Sequence, residues 1–445
     1  MYRWLGAACV ALFLGLGCAN DVEGQQGIRH KVVVISLDAF GAESLRDPHL
    51  PAPTLHALMQ AGSYARAMRP INPTVTWPNH TAMISGVNAS RHHVLVNGLV
   101  VNQRQDTAPK IEPHTPKSEL VAVPTVYDAA HKAGLTTAEV DWVAIEKADG
   151  ITWRFTEYSD ANGEIEHDLM QQGTLTADDL AHFNKPSQAW RDRVYGLAAV
   201  DIIKKHHPDL MLLHFLALDS IEHQTGYGNN SGINTIAFLD DRVRDVVEAV
   251  REAGDLPNTT FLIVSDHGQM SVHHHLDANL LLKQAGLQGQ AASNTAFAIP
   301  EGGYALIYQK QATAESTAAL KALFTGKPGV RAVLSPAEAA KDGWPTPTQT
   351  SQAPDLLIYA ENGYAFSGVG NGEFVSDAKE SGAHGYPNTE PLMKEIFIAS
   401  GAGIAKKGEI AEFDNVDVAP TIARLLNVPL TNIDGKALEE ILTGK

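Results

Sequence analysis

The 445-residue sequence predicts an α/β fold built around a mostly parallel sheet. Three apolar stretches predict buried strands, and each leads to an aspartate: KVVVISLD at 31–38, LMLLHFLALD at 210–219 and TFLIVSD at 260–266. Short continuous apolar runs suit strands that are covered on both faces. Segments with helical spacing separate them, and strands joined by crossover helices form parallel sheets. The three aspartates are therefore expected at one edge of the sheet, where they would converge on cations.

Helices and strands alternate from about Gly27 onwards. Helical spacing predicts helices at 52–60, 123–133, 190–205, 233–253, 318–324 and 417–426. Further strands are predicted at 64–68, 136–143, 304–308, 355–359 and 395–399. The polar segments 97–123 and 150–185 are predicted to be surface excursions.

Residues 286–345 interrupt this alternation and predict an inserted smaller lobe. The predicted organisation is a signal peptide at 1–18, a linker at 19–29 and a single catalytic domain at 30–445.

Composition limits the function classes. The chain has 34 Lys and Arg against 51 Asp and Glu, a net charge of −17, and 44% hydrophobic residues. Such a hydrophobic content predicts a packed core. The acidic balance argues against a nucleic-acid polymer as partner, because binding its backbone needs a basic surface. A small anionic substrate remains compatible if bound metal reverses the local charge.

The N-terminus is typical of an export signal. Arg3 precedes an apolar run at 5–16 that is too short to span a membrane as a mature helix. The stretch LGLGC also resembles an imperfect bacterial lipoprotein box with Cys18 as the lipidated residue, and plain cleavage nearby is the alternative. Only Cys9 and Cys18 are present, so the mature domain offers no thiolate. The predicted location is periplasmic or extracellular, with a possible lipid anchor and no transmembrane helix in the mature chain.

Three histidines accompany the aspartates. His223 lies four residues after Asp219, so both face one side if the chain is helical there, and His267 follows Asp266 directly. His384 lies between glycines, where the backbone can approach a site closely. Oxygen and nitrogen ligands without thiolate suit zinc or another borderline divalent metal.

Thr76 is predicted just ahead of a helix that begins near Pro78 and ends near Gly86. The N-terminus of a helix attracts phosphate. A threonine hydroxyl beside a divalent cation can ionise near neutral pH and act as a nucleophile, whereas an ordinary helix cap is the alternative role.

Taken together, the motifs resemble the nucleotide pyrophosphatase/phosphodiesterase branch of the alkaline phosphatase superfamily, from about Lys31 to Val428. The motifs that carry the resemblance are TWPNH at 76–80, DSIEH at 219–223, DHG at 266–268 and GAHGY at 382–386. The resemblance implies an alkaline-phosphatase-like three-layer α/β/α sandwich and two zinc ions, with manganese or iron as alternative metals.

The resemblance also implies residue roles. One zinc is implied at Asp38, Thr76, Asp266 and His267, and the other at Asp219, His223 and His384. Thr76 is implied as the nucleophile that forms a phosphothreonine, and Asn97 as a donor to a phosphoryl oxygen. Trp77 replaces an aromatic residue beside the leaving group. His214 stands where the family usually has a tyrosine that packs on a nucleobase, and is the second substrate-binding candidate.

The sequence thus predicts an exported two-zinc phosphodiesterase or nucleotide pyrophosphatase acting on a small phosphodiester or nucleotide, with no protein partner implied. A phosphomonoesterase or phosphonate hydrolase is the first alternative, and a non-catalytic phosphate-ligand binding protein the second. A monoester carries extra negative charge, which favours a nearby Lys or Arg. Residues 77–83 contain neither, which favours the diester, although Arg91 and Lys110 are candidates to reach the site.

Overall fold

The computed structural model describes residue 1 and residues 29–158, 161–289, 295–368 and 372–443. The predicted signal peptide with Cys18 lies outside the described residues beyond its first residue, and so does the predicted linker apart from Arg29.

Strands and helices are numbered in chain order. The strands are β1 (Lys31–Leu37), β2 (Ser63–Ala65), β3 (Met68–Arg69), β4 (Leu99–Val101), β5 (Lys110–Glu112), β6 (Thr137–Val140), β7 (Trp153–Phe155), β8 (Leu210–Phe215), β9 (Thr259–Val264), β10 (Met270–Leu276), β11 (Ala296–Glu301), β12 (Tyr304–Gln309), β13 (Val330–Leu334), β14 (Leu356–Ala360), β15 (Tyr364–Phe366), β16 (Val375–Ala383), β17 (Phe397–Gly401), β18 (Gly408–Ile410) and β19 (Phe413–Asp414). The helices are α1 (Ala42–Leu45), α2 (Pro53–Ala61), α3 (Thr76–Ser85), α4 (Ala89–His92), α5 (Lys117–Leu120), α6 (Val126–Lys132), α7 (Glu164–Gln171), α8 (Ala177–Ala181), α9 (Gln188–His206), α10 (Ala217–Thr225), α11 (Asn230–Glu252), α12 (Ala278–Gln284), α13 (Ala314–Phe324), α14 (Pro336–Ala339) and α15 (Val418–Leu426).

In the described residues the central sheet has eight strands in the order β18-β2-β17-β9-β1-β8-β6-β7. β1 pairs in parallel with both β8 and β9, and β6 pairs in parallel with β7 and β8. β17 runs antiparallel to β9 and β2. The predicted mostly parallel sheet is therefore confirmed.

Helices cover both faces of this sheet. Val33 and Ile35 of β1 pack into a core with α2, α9 and α11, whereas Val32 and Val34 pack into a second core with α3, α6 and α15. Because neighbouring side chains of a strand point to opposite faces, this alternation fixes a three-layer α/β/α arrangement. None of the helices in the described ranges is long and apolar enough to cross a membrane.

A smaller lobe lies between β9 and β17 in sequence. Its sheets, within the described residues, have the orders β11-β12-β14-β13 and β15-β10-β16. β14 pairs with β12, with Tyr304 opposite Tyr359, so the strand predicted at 355–359 belongs to the lobe and not to the central sheet. The lobe therefore extends on both sides of the 286–345 range expected for the insertion, from β10 to β16. The segment 97–123, expected as a loop, also contains β4, β5 and α5.

The predicted chemistry lies at the carboxyl ends of β1, β8 and β9. Asp38 follows β1 directly, and Asp266 lies two residues after β9. One expectation is corrected: β8 ends at Phe215, so Asp219 lies on α10 and not at a strand end. The turn into α10 places Asp219 and His223 one helical turn apart, as the helical interpretation of their spacing required.

Candidate active site

Two parallel neighbours place the first group of side chains. β1 and β9 are adjacent, so Asp38 emerges beside Asp266 and His267 at the same sheet edge. Nε2 of His267 lies 3.4 Å from Oδ1 of Asp38 and 3.3 Å from Oδ2 of Asp266. The backbone N–H of Ala39 donates to Oδ1 of Asp266 at 3.2 Å. These three side chains are fully buried.

The second group combines α10 with the end of β16. Oδ1 of Asp219 lies 3.2 Å from Nε2 of His223 and 3.9 Å from Nε2 of His384, which follows β16 directly. Asp192 from α9 fixes the start of α10, because its Oδ2 accepts the Ala217 N–H at 2.7 Å. This contact caps a helix whose own N-cap residue offers no side-chain hydrogen bond.

The three histidines share one tautomer. Each Nδ1 lies at hydrogen-bond distance from a backbone carbonyl: His223 to Gly382 at 2.8 Å, His267 to Gly268 at 3.0 Å and His384 to Thr74 at 3.1 Å. A carbonyl oxygen only accepts, so each Nδ1 carries the proton. When neutral, as a metal ligand must be, each ring directs its Nε2 lone pair toward the carboxylates, the arrangement that metal-ligating histidines adopt.

The carboxylates are crowded and incompletely paired. Oδ1 of Asp38 and Oδ2 of Asp266 are buried without a hydrogen-bond partner among the described residues. Burial, reinforced by the carboxylates of Asp266 and Asp219, raises the pKa of Asp38 well above its ordinary value. The Asp219 carboxylate raises the pKa of His223 to about 9, whereas burial lowers the pKa of His267 to about 4. A bound cation would relieve both the repulsion and the unpaired oxygens.

The donor set fits divalent metal ions. Two groups of ligand atoms each lie within 4.8 Å of one another: Asp219 with His223 and His384, and Asp38 with Asp219 and His267. Asp219 belongs to both groups. Asp266 is not a member of the second group, but its Oδ2 lies 3.3 Å from Nε2 of His267, which is a member. Nitrogen and oxygen donors of this kind suit zinc, and manganese or iron less specifically.

Thr76 lies against the second group. It is the first residue of α3 and not the residue ahead of the helix, because the helix begins at Thr76, earlier than expected, and it is 5% exposed. Its Oγ1 lies 3.3 Å from Nε2 of His267. Asn79, which sequence reasoning missed, secures the preceding loop: its Nδ2 donates to the carbonyls of Pro73 and Val75, both at 2.9 Å. A buried asparagine three residues after the hydroxyl is the signal that points to this role.

Asn97 and Trp77 flank Thr76. The backbone N–H of Trp77 donates to Oδ1 of Asn97 at 3.0 Å, so the amide is held with its Nδ2 as the remaining donor. Trp77 lines a cavity of about 330 Å³. The same cavity is lined by the aromatic residues Trp142, Trp153 and Tyr158, the acidic residues Glu146, Glu157, Glu164 and Glu166, and the basic residues Lys147 and Arg154.

His214 requires a correction. It was expected to contact substrate, but it is 1% exposed and lies behind Asp38, with Nε2 2.9 Å from Oδ2 of that residue. Its Nδ1 lies 3.0 Å from the Asp141 carbonyl oxygen. Although burial alone would lower it, the hydrogen bonds to Asp141 and Asp38 raise the pKa of His214 well above its ordinary value. The residue lies on β8 with both ring nitrogens turned toward protein oxygens, and it is not among the residues that line the cavity beside Trp77.

The three-layer fold and the clustered ligands at its carboxyl edge define an alkaline-phosphatase-like hydrolase. The murine ectonucleotide pyrophosphatase/phosphodiesterase 5 structure matches with a TM-score of 0.72 and 17% identity, covering 93% of this chain and 100% of that one. The same murine protein was also solved as an inactive threonine-to-alanine variant in complex with AMP, with a TM-score of 0.72 and 16% identity. These neighbours confirm the predicted fold.

Sequence relatives agree. The human ectonucleotide pyrophosphatase/phosphodiesterase family member 7 is 23% identical over 430 residues, covering 96% of this chain and 86% of that protein. The Naja atra venom phosphodiesterase is 21% identical over 406 residues, covering 89% of this chain and 44% of that protein. Residues 32–387 match the family model described as type I phosphodiesterase / nucleotide pyrophosphatase. The chain belongs to this family and is a phosphoric diester hydrolase.

Proposed function

We propose that the protein is an exported two-metal phosphodiesterase that cleaves small phosphodiesters or nucleotide pyrophosphate bonds with Thr76 as nucleophile. The observation that carries this proposal is the placement of the Thr76 hydroxyl 3.3 Å from the Nε2 of His267. His267 belongs to the second ligand group, which shares Asp219 with the first. Zinc is the metal that the donor set favours.

Thr76 and Asn79 are proposed to have separate roles in the reaction. Two bound divalent cations would supply positive charge for the attacking and leaving oxygens of an in-line displacement. The Thr76 oxygen attacks phosphorus, the leaving group departs with its oxygen, and a phosphothreonine remains until water hydrolyses it. Asn79 keeps the hydroxyl in place by holding the carbonyls of Pro73 and Val75. The burial of Thr76 keeps bulk water from competing during the first step.

Asn97 is proposed to donate its Nδ2–H to a phosphoryl oxygen as charge develops there. We expect Asn97→Ala to lower kcat about 10²-fold, the usual effect of removing one such donor. Asn97→Asp is the matched variant, because it keeps the acceptor for the Trp77 N–H but has no N–H of its own. Steady-state kinetics should therefore show both variants impaired. Native kcat in Asn97→Asp would mean that only the contact to Trp77 matters.

The leaving group is proposed to occupy the cavity beside Trp77. Its volume of about 330 Å³ lies within the range of small-molecule sites. Aromatic walls suit the flat face of a base or another ring. The AMP bound by the murine neighbour makes a nucleotide one candidate substrate. Because His214 is buried behind Asp38, a base would depend on Trp77 and the residues across the cavity.

The positions of two basic side chains favour diesters over monoesters. Arg91 pairs with Asp434, with Nη1 2.6 Å from Oδ1, and Lys110 pairs with Glu112 at 3.3 Å on the surface. Neither is thus available to the extra negative charge of a monoester. We expect kcat/KM for bis-p-nitrophenyl phosphate to exceed that for p-nitrophenyl phosphate by at least about tenfold, the ratio that a loss of one charge-assisted contact would give.

The test compares both substrates with the zinc-loaded mature protein. A monoester preference would move the protein to the phosphatase alternative. Hydrolysis of neither, with metal bound, would point to a narrow natural substrate or to the binding-protein alternative. Nucleotide and lipid-headgroup diesters are the next substrates if the diester wins.

Export is part of the proposal. The proposed export depends on the signal-peptide pattern in residues 1–18, and a periplasmic or extracellular location follows from export. Lipidation of Cys18 stays a prediction.

A further inference from the structure

His214 lies between two buried carboxylates at the centre of the sheet. It is on β8 opposite Ser36 of β1, one residue pair before the edge from which Asp38 emerges. Its Nε2 faces Oδ2 of Asp38 at 2.9 Å, and its Nδ1 faces the Asp141 carbonyl oxygen at 3.0 Å and Oδ2 of the same residue at 3.4 Å. Both ring nitrogens are therefore occupied on the protein side.

The direction of these hydrogen bonds is determined by chemistry. The Asp141 carbonyl can only accept, so Nδ1–H donates to it. An Asp38 that is ionised as a metal ligand can also only accept, so Nε2–H donates to its Oδ2 and the ring carries both protons. The imidazole therefore binds one oxygen of Asp38 and leaves Oδ1 of that carboxylate, which has no hydrogen-bond partner among the described residues, on the side of His267.

Asp141 is held in place for this contact. Its φ is 55°, in the left-handed region that non-glycine residues rarely adopt, and its side chain is 3% exposed. Its own N–H donates to the Phe155 carbonyl at 2.9 Å, which ties it to the sheet. Backbone strain at a buried aspartate persists only where the surrounding structure fixes it. Here it directs both the carbonyl and the carboxylate of one residue toward a single ring nitrogen.

We propose that His214, oriented by Asp141, is a positioning residue that fixes the Asp38 carboxylate so that Oδ1 is presented to a metal ion. This inference rests on the proposed metal site. It replaces the substrate contact expected for His214. Asp141, the His214 imidazole and the Asp38 carboxylate then form a series of contacts that ends at one metal ligand, Asp38. Removal of such a partner behind a metal ligand typically lowers metal affinity about 10–100-fold.

The test measures metal affinity without substrate. His214→Phe keeps a ring of similar size but has no donors, and His92→Phe applies the same change to another fully buried histidine, whose Nδ1 accepts the Val94 N–H. Zinc affinities come from competition with a chromophoric chelator, and the visible spectrum of the cobalt-substituted protein reports coordination geometry. We expect His214→Phe to weaken one of two metal equivalents about 10–100-fold and change the spectrum, and His92→Phe to match the native protein.

Two conservative variants extend the test. His214→Gln retains one N–H for Asp38 and should bind the weakened equivalent more tightly than His214→Phe but less tightly than the native protein. Asp141→Asn keeps the carbonyl contact and should lose a smaller but measurable factor in affinity, under about tenfold. If His214→Phe does not fold, these two variants decide the question, since native affinity and a native cobalt spectrum in both would overturn the positioning role. The same result in a folded His214→Phe would overturn it directly.

Failure of the proposed function is distinguishable from failure of this inference. A native protein that binds two metal equivalents but cleaves no diester would refute the proposed function, while a weakened equivalent in His214→Phe would still support the positioning role. A native protein that binds no divalent metal would contradict both.

Discussion

Replacing Thr76 with alanine is expected to lower kcat for diester hydrolysis by at least about 10³-fold, because loss of a nucleophile removes the covalent route altogether. Metal content should stay at the native level. The other proposed ligands remain, and the variant removes only a hydroxyl that lies beside the second ligand group. The measurements are steady-state kinetics with a chromogenic diester and metal analysis of the same preparation.

Two variants make this result specific. Thr76→Ser keeps a hydroxyl at the same place and should retain far more activity than the alanine variant. Thr421→Ala removes another fully buried threonine hydroxyl, on α15, where Oγ1 donates to the Asp417 carbonyl at 2.7 Å. It should cost stability but leave kcat near the native value. The assignment of the nucleophile would be wrong if Thr76→Ala kept more than about a tenth of native kcat.

The central sheet was predictable from local pattern. β1, β8 and β9 are apolar runs flanked by helices, and burial on both faces of a parallel sheet needs only such runs. The edge that gathers Asp38, Asp266 and His267 followed from the parallel arrangement, because adjacent parallel strands end on the same side.

The smaller lobe was less predictable. β14 is as apolar as the central strands, and nothing in LLIYA indicates which sheet it joins. Its pairing with β12 depends on contacts between distant segments, which the 286–345 boundary did not include. Local composition identifies a strand, whereas its partner is chosen by the whole fold.

The same limit explains His214. Sequence position placed it five residues before Asp219, where a family resemblance suggested contact with a base. Its actual environment depends on the register of β8 against β1 and on Asp141, which lies 73 residues earlier in the chain. One feature of the sequence did indicate this environment. A histidine inside a strand that is buried on both faces needs hydrogen-bond partners within the core.

Replacing Asp219 with alanine is expected to reduce the content of both metal ions and to lower kcat by at least about 10³-fold. Asp219 is the residue common to the two ligand groups, so its loss removes a negative ligand from each. In the metal-free protein the change also removes the carboxylate that raises the pKa of His223 to about 9, so that this ring should lose its proton more readily. Metal analysis after gel filtration and diester kinetics measure the two effects.

The number of metal ions lost tests how the two groups are connected. Asp240→Ala is the matched control, because Asp240 is another buried aspartate and caps α2 through the N–H groups of Thr54 and Leu55. Its loss should cost about 1 kcal/mol of stability and no metal. If Asp219→Ala loses a single equivalent and the other stays tightly bound, Asp219 serves only the group with His223 and His384, and the second ion depends on Asp38, Asp266 and His267 alone. Loss of both equivalents would instead mean that the Asp219 carboxylate holds the two sites together.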